Sequence, residues 1–182
     1  MNRSSRSDRI KRPLAALACA LAALGASGHA GAETALAGAT VLAPAVVLTK
    51  TADLSFGRFA TGAAGSITIS TSGVRTVSGG VLPAAGGAAM TAASFAVSGA
   101  SGATYSITHG GVSALARSAG PETMPMTRFS DVTGANATAG NVAGGTLNAG
   151  AQSIYVGATL AVGANQAAGA YTGTISVTVE YN

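Results

Sequence analysis

From Glu33 onward the chain holds one histidine (His109), one lysine (Lys50), four arginines (Arg58, Arg75, Arg117, Arg128) and five carboxylates (Glu33, Asp53, Glu122, Asp131, Glu180). Any chemistry must come from this small set. A histidine base needs a nucleophile within reach and an acid to orient it. His109 stands at the end of an expected strand, before Gly110-Gly111, and no G-x-S-x-G elbow accompanies it, so it reads as a turn residue. A metal site needs several His, Cys or carboxylate ligands at short spacing, and the five acids are scattered. No glycine-rich phosphate loop precedes Lys50. A carboxylate pair for glycoside chemistry would have to be assembled from distant loops. The expectation is a protein that is not an enzyme, with no catalytic residue, cofactor or metal. Nucleic acid is not expected as a partner either, because the four arginines sit singly in separate segments and make no basic stripe. Tyr105, Tyr155, Tyr171 and Tyr181 could stack on sugars, but their alternating contexts favour packing.

The formal charge of +4 is misleading about partners. Arg3, Arg6, Arg9, Lys11 and Arg12 against Asp8 account for all of it, 5 − 1, and the remainder balances at 5 − 5. This basic start is followed by an unbroken apolar run, Leu14–Leu24, and then by small residues ending Ala30-Gly31-Ala32. A charged start, a short apolar stretch and an A-x-A end describe a cleavable secretory signal peptide over 1–32. Cleavage is expected at Ala32, with Ala30 second. The run is too short for a membrane span, which takes about 20 residues, so no stable transmembrane anchor remains after cleavage. The expected location is the periplasm, the cell surface or the medium. The single cysteine, Cys19, falls inside the leader, leaving a mature chain without thiol or disulfide chemistry.

Residues 33–182 then form one domain, large enough for a single core. Its alanines could build helices, but apolar residues recur with a period of two between Gly, Ser, Thr and Asn turns. Ile67 and Ile69 share a face, as do Phe95 and Val97, and Tyr105 and Ile107. Strands are predicted near 40–50, 53–60, 65–70, 73–78, 92–98, 103–109, 122–129, 145–148, 151–163 and 169–181, with loops over 83–91 and 130–144. Many short strands at this spacing predict an all-β fold, an antiparallel Ig-like (pilin- or adhesin-like) β-sandwich.

The clearest strand is the last. Tyr171, Gly173, Ile175, Val177, Val179 and Tyr181 alternate with Thr172, Thr174, Ser176, Thr178 and Glu180. With Gly169 fourteenth from the end and Tyr181 penultimate, this tail resembles the C-terminal signature of chaperone–usher pilus subunits and spore-coat-U-like secreted pilins. The resemblance implies strand pairing at a sheet edge, with a periplasmic chaperone, an outer-membrane usher or copies of the chain itself as partners. Gly169, Tyr171, Ile175, Val177, Val179 and Tyr181 are the candidate assembly residues. The alternative for the same residues is an ordinary core strand of a complete sandwich. The cysteine pair common in those pilins is absent, and the alanines of Glu33–Thr40 would fill a partner's pockets weakly.

A second resemblance spans most of the mature chain. Asp53-Leu-Ser-Phe-Gly57, Gly73-Val-Arg-Thr76, Gly79-Gly-Val81, Phe95-Ala-Val-Ser-Gly99, Thr104-Tyr-Ser-Ile-Thr108, Val156-Gly-Ala-Thr-Leu160 and the tail, in this order, are similar to the DUF4402 family of small exported bacterial proteins. Together these readings give two expected functions. One is a non-enzymatic surface or pilus-like structural subunit. The other is a monomeric carbohydrate- or surface-binding module using the loops Thr61–Gly65, Leu82–Thr91 and Thr133–Gly145.

Overall fold

A computed structural model describes residues 38–40 and 45–182; the expected signal peptide, Cys19 and most of the segment 33–44 lie outside them. Eleven strands and no helix are present among the described residues. They are β1 (Val47–Ala52), β2 (Phe59–Ile69), β3 (Arg75–Pro83), β4 (Ala93–Ser98), β5 (Thr104–Gly111), β6 (Ala114–Arg117), β7 (Thr123–Asp131), β8 (Gly144–Thr146), β9 (Ala151–Val162), β10 (Tyr171–Thr172) and β11 (Ile175–Tyr181). All pairing is antiparallel.

The longest strand, β9, organises the larger sheet. Its first half, Ala151–Val156, pairs with β4, and its second half, Ala158–Val162, pairs with β2. β7 pairs with Tyr155–Leu160, overlapping both halves, so it must hold the opposite edge. β4 carries β1, β2 carries β3, and β7 carries β6 and then β10. A second sheet has three strands, β11-β5-β8.

The alternation that predicts these strands also builds the core. Ile154, Val156, Ala158, Leu160 and Val162 of β9 are all buried on one face. Two clusters rest on that face. One joins Phe95 and Val97 to Tyr105, Ile107 and Leu147, and so ties the small sheet to the large one. The other holds Ile67, Ile69, Met124, Met126 and Leu160, with Leu54, Phe59, Tyr171 and Ile175 packed against it. Each fully buried aliphatic side chain contributes roughly 1.5–3 kcal/mol. Two glycines are needed by their neighbours. A Cβ on Gly157, in the middle of β9, would collide with the Phe129 ring and the Ile69 carbonyl, and one on Gly99 would collide with the Tyr181 hydroxyl.

Several expectations change. The expected strand at 53–60 is an irregular wall over 53–58, held by one bridge, Ser55↔Thr91, with β2 beginning only at Phe59. β3 runs on to Pro83, and β6 was not predicted. The tail is not one strand. Tyr171–Thr172 pairs with β6 in the large sheet, whereas Ile175–Tyr181 pairs with β5 in the small one. The change of sheet falls at Gly173-Thr174, where a Cβ on Gly173 would lie 2.6 Å from Val112 Cγ2 and 3.0 Å from Leu115 Cδ2. Glycine lets the chain pass close over β6 there.

Candidate functional site

The six candidate assembly residues do not stay together. Gly169 lies in the loop before β10 and leaves room for Arg117, whose Nε donates to the Ala168 carbonyl at 2.9 Å. Tyr171 is on the large sheet; its hydroxyl donates to the Ala167 carbonyl and accepts from Gln166 Nε2, both at 2.8 Å. Ile175, Val177, Val179 and Tyr181 remain as the inward face of β11 and are half-buried. Their counterparts on β5, Tyr105 and Ile107, are 0% and 7% exposed. The inner face of the small sheet therefore opens toward β11.

The hydrogen-bond phase of β11 follows from its two ends. Val112 N–H donates to the Thr174 carbonyl (2.9 Å), and Asn182 N–H donates to the Thr104 carbonyl (3.2 Å). Even-numbered residues thus turn their backbone groups toward β5. In an antiparallel ladder the alternate residues turn theirs away. The N–H and C=O groups of Ile175, Val177, Val179 and Tyr181 accordingly line the outer edge, and no strand among the described residues pairs with them. The register with β5 runs through seven consecutive pairs without a bulge. Tyr181 also fastens the strand, its hydroxyl accepting from Ala100 N–H at 3.0 Å beside the bare face of Gly99.

Next to the start of β11 lies a cleft of about 1080 Å³ between the 52–61 wall and the 166–175 segment. Phe95, Met124, Met126 and Leu160 line it from below. Lys50, Asp53 and Arg58 also line it, the first two joined by an exposed ion pair of 2.6 Å.

Several of the groups singled out for chemistry hold backbone groups in place. His109 lies within β5, with Nε2 at 3.0 Å from both the Val142 carbonyl and Ser130 Oγ. A carbonyl only accepts, so the Val142 contact belongs to the tautomer that carries the proton on Nε2. Ser130 Oγ in turn accepts from Val142 N–H at 3.1 Å. Histidine and serine together hold the carbonyl and the amide of Val142. Asp131 accepts from Thr71 Oγ1 (2.5 Å), Gly134 N–H (2.6 Å) and Thr133 N–H (2.9 Å). Burial pushes its carboxyl up, but the hydrogen bonds from Thr71, Gly134, Thr133 and Ala135 outweigh this and leave it below the usual carboxylate range. Arg75 donates to the Phe56 and Arg58 carbonyls, and Arg128 to that of Gly110. Arg117 joins Glu122 at 3.2 Å, and Glu122 is held low by its own backbone amide and by Arg117. Burial pushes the Tyr105 phenol up; its hydroxyl donates to Gln152 Oε1 at 2.9 Å. Among the described residues no three metal-ligating side chains converge. These ties leave no local signal in the sequence, because the carbonyls involved come from distant segments.

The fold and this edge define a class: an all-β, antiparallel protein of two sheets, whose terminal strand closes the small sheet with its outer side unpaired among the described residues. The chain belongs to the family described as Domain of unknown function (DUF4402), which it matches over residues 46–181. Comparison with curated proteins gives no match.

Proposed function

We propose that this protein is a non-enzymatic, exported structural subunit of the bacterial surface, pilus-like in character, which associates by pairing β11 with a strand of another chain. The observation that carries the reading is the outer edge of β11: seven regular residues, an inner face only half-covered, and outward backbone groups. Buried or exposed, such an edge is a template for another strand. The leader read over 1–32 supports export to the periplasm, cell surface or medium, and the two packed sheets suit an Ig-like, pilin-like sandwich. A periplasmic chaperone, an outer-membrane usher or further copies are the partners this reading implies. The test is the assembly state of the protein isolated from the envelope of cells expressing the full chain. SDS-resistant ladders or fibres, lost in Tyr181→Ser, are expected. A stable monomer whose β11 amides exchange freely would overturn the reading.

The cleft favours a second reading, a carbohydrate- or surface-binding module. It has room for a ligand of several hundred cubic ångströms. Retention on a glycan array, abolished by Leu115→Arg at the cleft, is the result expected of that reading; a blank array would sink it.

A further inference from the structure

Resting on the strand-pairing reading, we infer that the partner of β11 is β11 of a second copy, joined antiparallel about a two-fold axis at Thr178. The argument begins with the phase of the edge. Odd-numbered residues face outward, so a partner strand must meet them with its own outward residues. Antiparallel self-pairing centred on Thr178 does this along all seven residues. Val177 meets the partner copy's Val179, Ile175 meets its Tyr181, and Thr178 meets its own counterpart in a pair that exchanges no hydrogen bonds. Directly opposed residues share a face, so inward side chains stay inward. The inward pairs formed are β-branched and aromatic, a composition that stabilises neighbouring strands.

The charges allow the same arrangement. Glu180 is the sole charge on β11 and would lie opposite Ser176 of the other copy. The two glutamates would be four residues apart along the strands, about 14 Å at about 3.4 Å per residue, which is beyond the screening length of about 8–10 Å. From Glu33 onward five bases balance five acids, so copies carry no net repulsion. A two-fold contact of this kind uses one patch on each copy and closes as a dimer, with one continuous six-stranded sheet (three strands, β11-β5-β8, from each copy).

Cysteine placement tests the axis directly. With Cys19→Ser as background in the full chain, Thr178→Cys introduces a lone thiol on the exposed face. Across the axis the two Cα atoms would be about 4.5 Å apart, within the range a disulfide spans. Expected on mild oxidation is conversion of Thr178→Cys to a disulfide-linked dimer. Ser176→Cys alone and Glu180→Cys alone are expected to stay monomeric on a non-reducing gel, whereas a mixture of the two cross-links. All three positions are exposed, so reduced variants should melt with the parent. Cross-linking of Ser176→Cys or Glu180→Cys by itself, or none by Thr178→Cys, would overturn the two-fold arrangement. Val177→Pro separates that failure from failure of the reading it rests on, because this residue's N–H points outward and the ladder to β5 does not use it. If Thr178→Cys does not cross-link but Val177→Pro still abolishes association, strand pairing stands with a different partner. If the parent is monomeric and its Val177 and Val179 amides exchange freely, both fall.

Discussion

Among the described residues β3 and β11 both end a sheet with one side unpaired, yet the chain composes the two edges differently. β3 begins at Arg75, carries Gly79 at φ +65° opposite an irregular register around Thr61/Gly65, and ends at Pro83. Charge, a bulge and proline are the devices by which edges are kept from meeting other strands. β1, another end of the large sheet among the described residues, has Lys50 and a register shift between Lys50 and Ala52. β11 has seven unbroken pairs, no proline, glycine or lysine, and β-branched residues facing inward. The same chain thus protects one long edge and leaves another regular. On the strand-pairing reading, the difference suits β11 to a second strand and β3 to stay alone.

The largest perturbation removes the support both edges share. Gly157→Val forces a side chain into the Phe129 ring and the Ile69 carbonyl. A loss of about 3 kcal/mol or more is expected in denaturant titration, with amide protection falling in β3 and β11 together. Survival of either edge would mean that β9 is not their common support. Next is Tyr181→Ala, which deletes a half-buried ring and its bond to Ala100. About 2 kcal/mol should be lost, and hydrogen exchange should quicken along β11 while β3 is unchanged.

Asp131 reaches the other edge. Through Thr71 it holds the turn between β2 and β3. Its carboxyl is lowered in the folded chain, so its stabilising contribution is complete above the unfolded value of about 4 and is lost as pH falls through the lower folded value. Asp131→Asn should cost about 1–2 kcal/mol at neutral pH and flatten the acid limb of a stability–pH curve; an unchanged limb would show that another group sets it. The smallest effects come from two matched surface changes, Thr76→Lys on β3 and Thr178→Lys on β11, both at exposed positions. Each should alter stability by less than about 0.5 kcal/mol. If β11 pairs with itself as inferred, sedimentation should show weakened self-association for Thr178→Lys alone, since only there would two lysines face each other across the axis.

Much of this fold is legible in the alternation of residues. Ile67 and Ile69, Phe95 and Val97, and Tyr105 and Ile107 are buried pairs on one face, as their spacing predicts. The tail shows what periodicity leaves out. Two residues, Gly173 and Thr174, separate β10 from β11, and a break of two preserves a period of two. The alternation therefore runs through the change of sheet without a mark. β6, Ala114-Leu-Ala-Arg117, has no β-branched residue and owes its strand character to β7 and β10. The wall at 53–58 has strand-like residues but only the Ser55↔Thr91 bridge, because pairing depends on where neighbours lie and not on local composition. The candidate edge was legible as a strand; which of its residues turn their backbone outward was not, since that phase is set by Thr104 and Val112 on a different segment.

The crossing at Gly173-Thr174 also fixes how the molecule would carry a mechanical load. One short linker places β10 in the large sheet and β11 in the small one, so tension entering along β11 passes into both layers in series. A pull parallel to the strand would shear its whole ladder to β5 at once, whereas a pull across it would peel the rungs singly. A fibre or surface joint strained along this direction would fail late and all together.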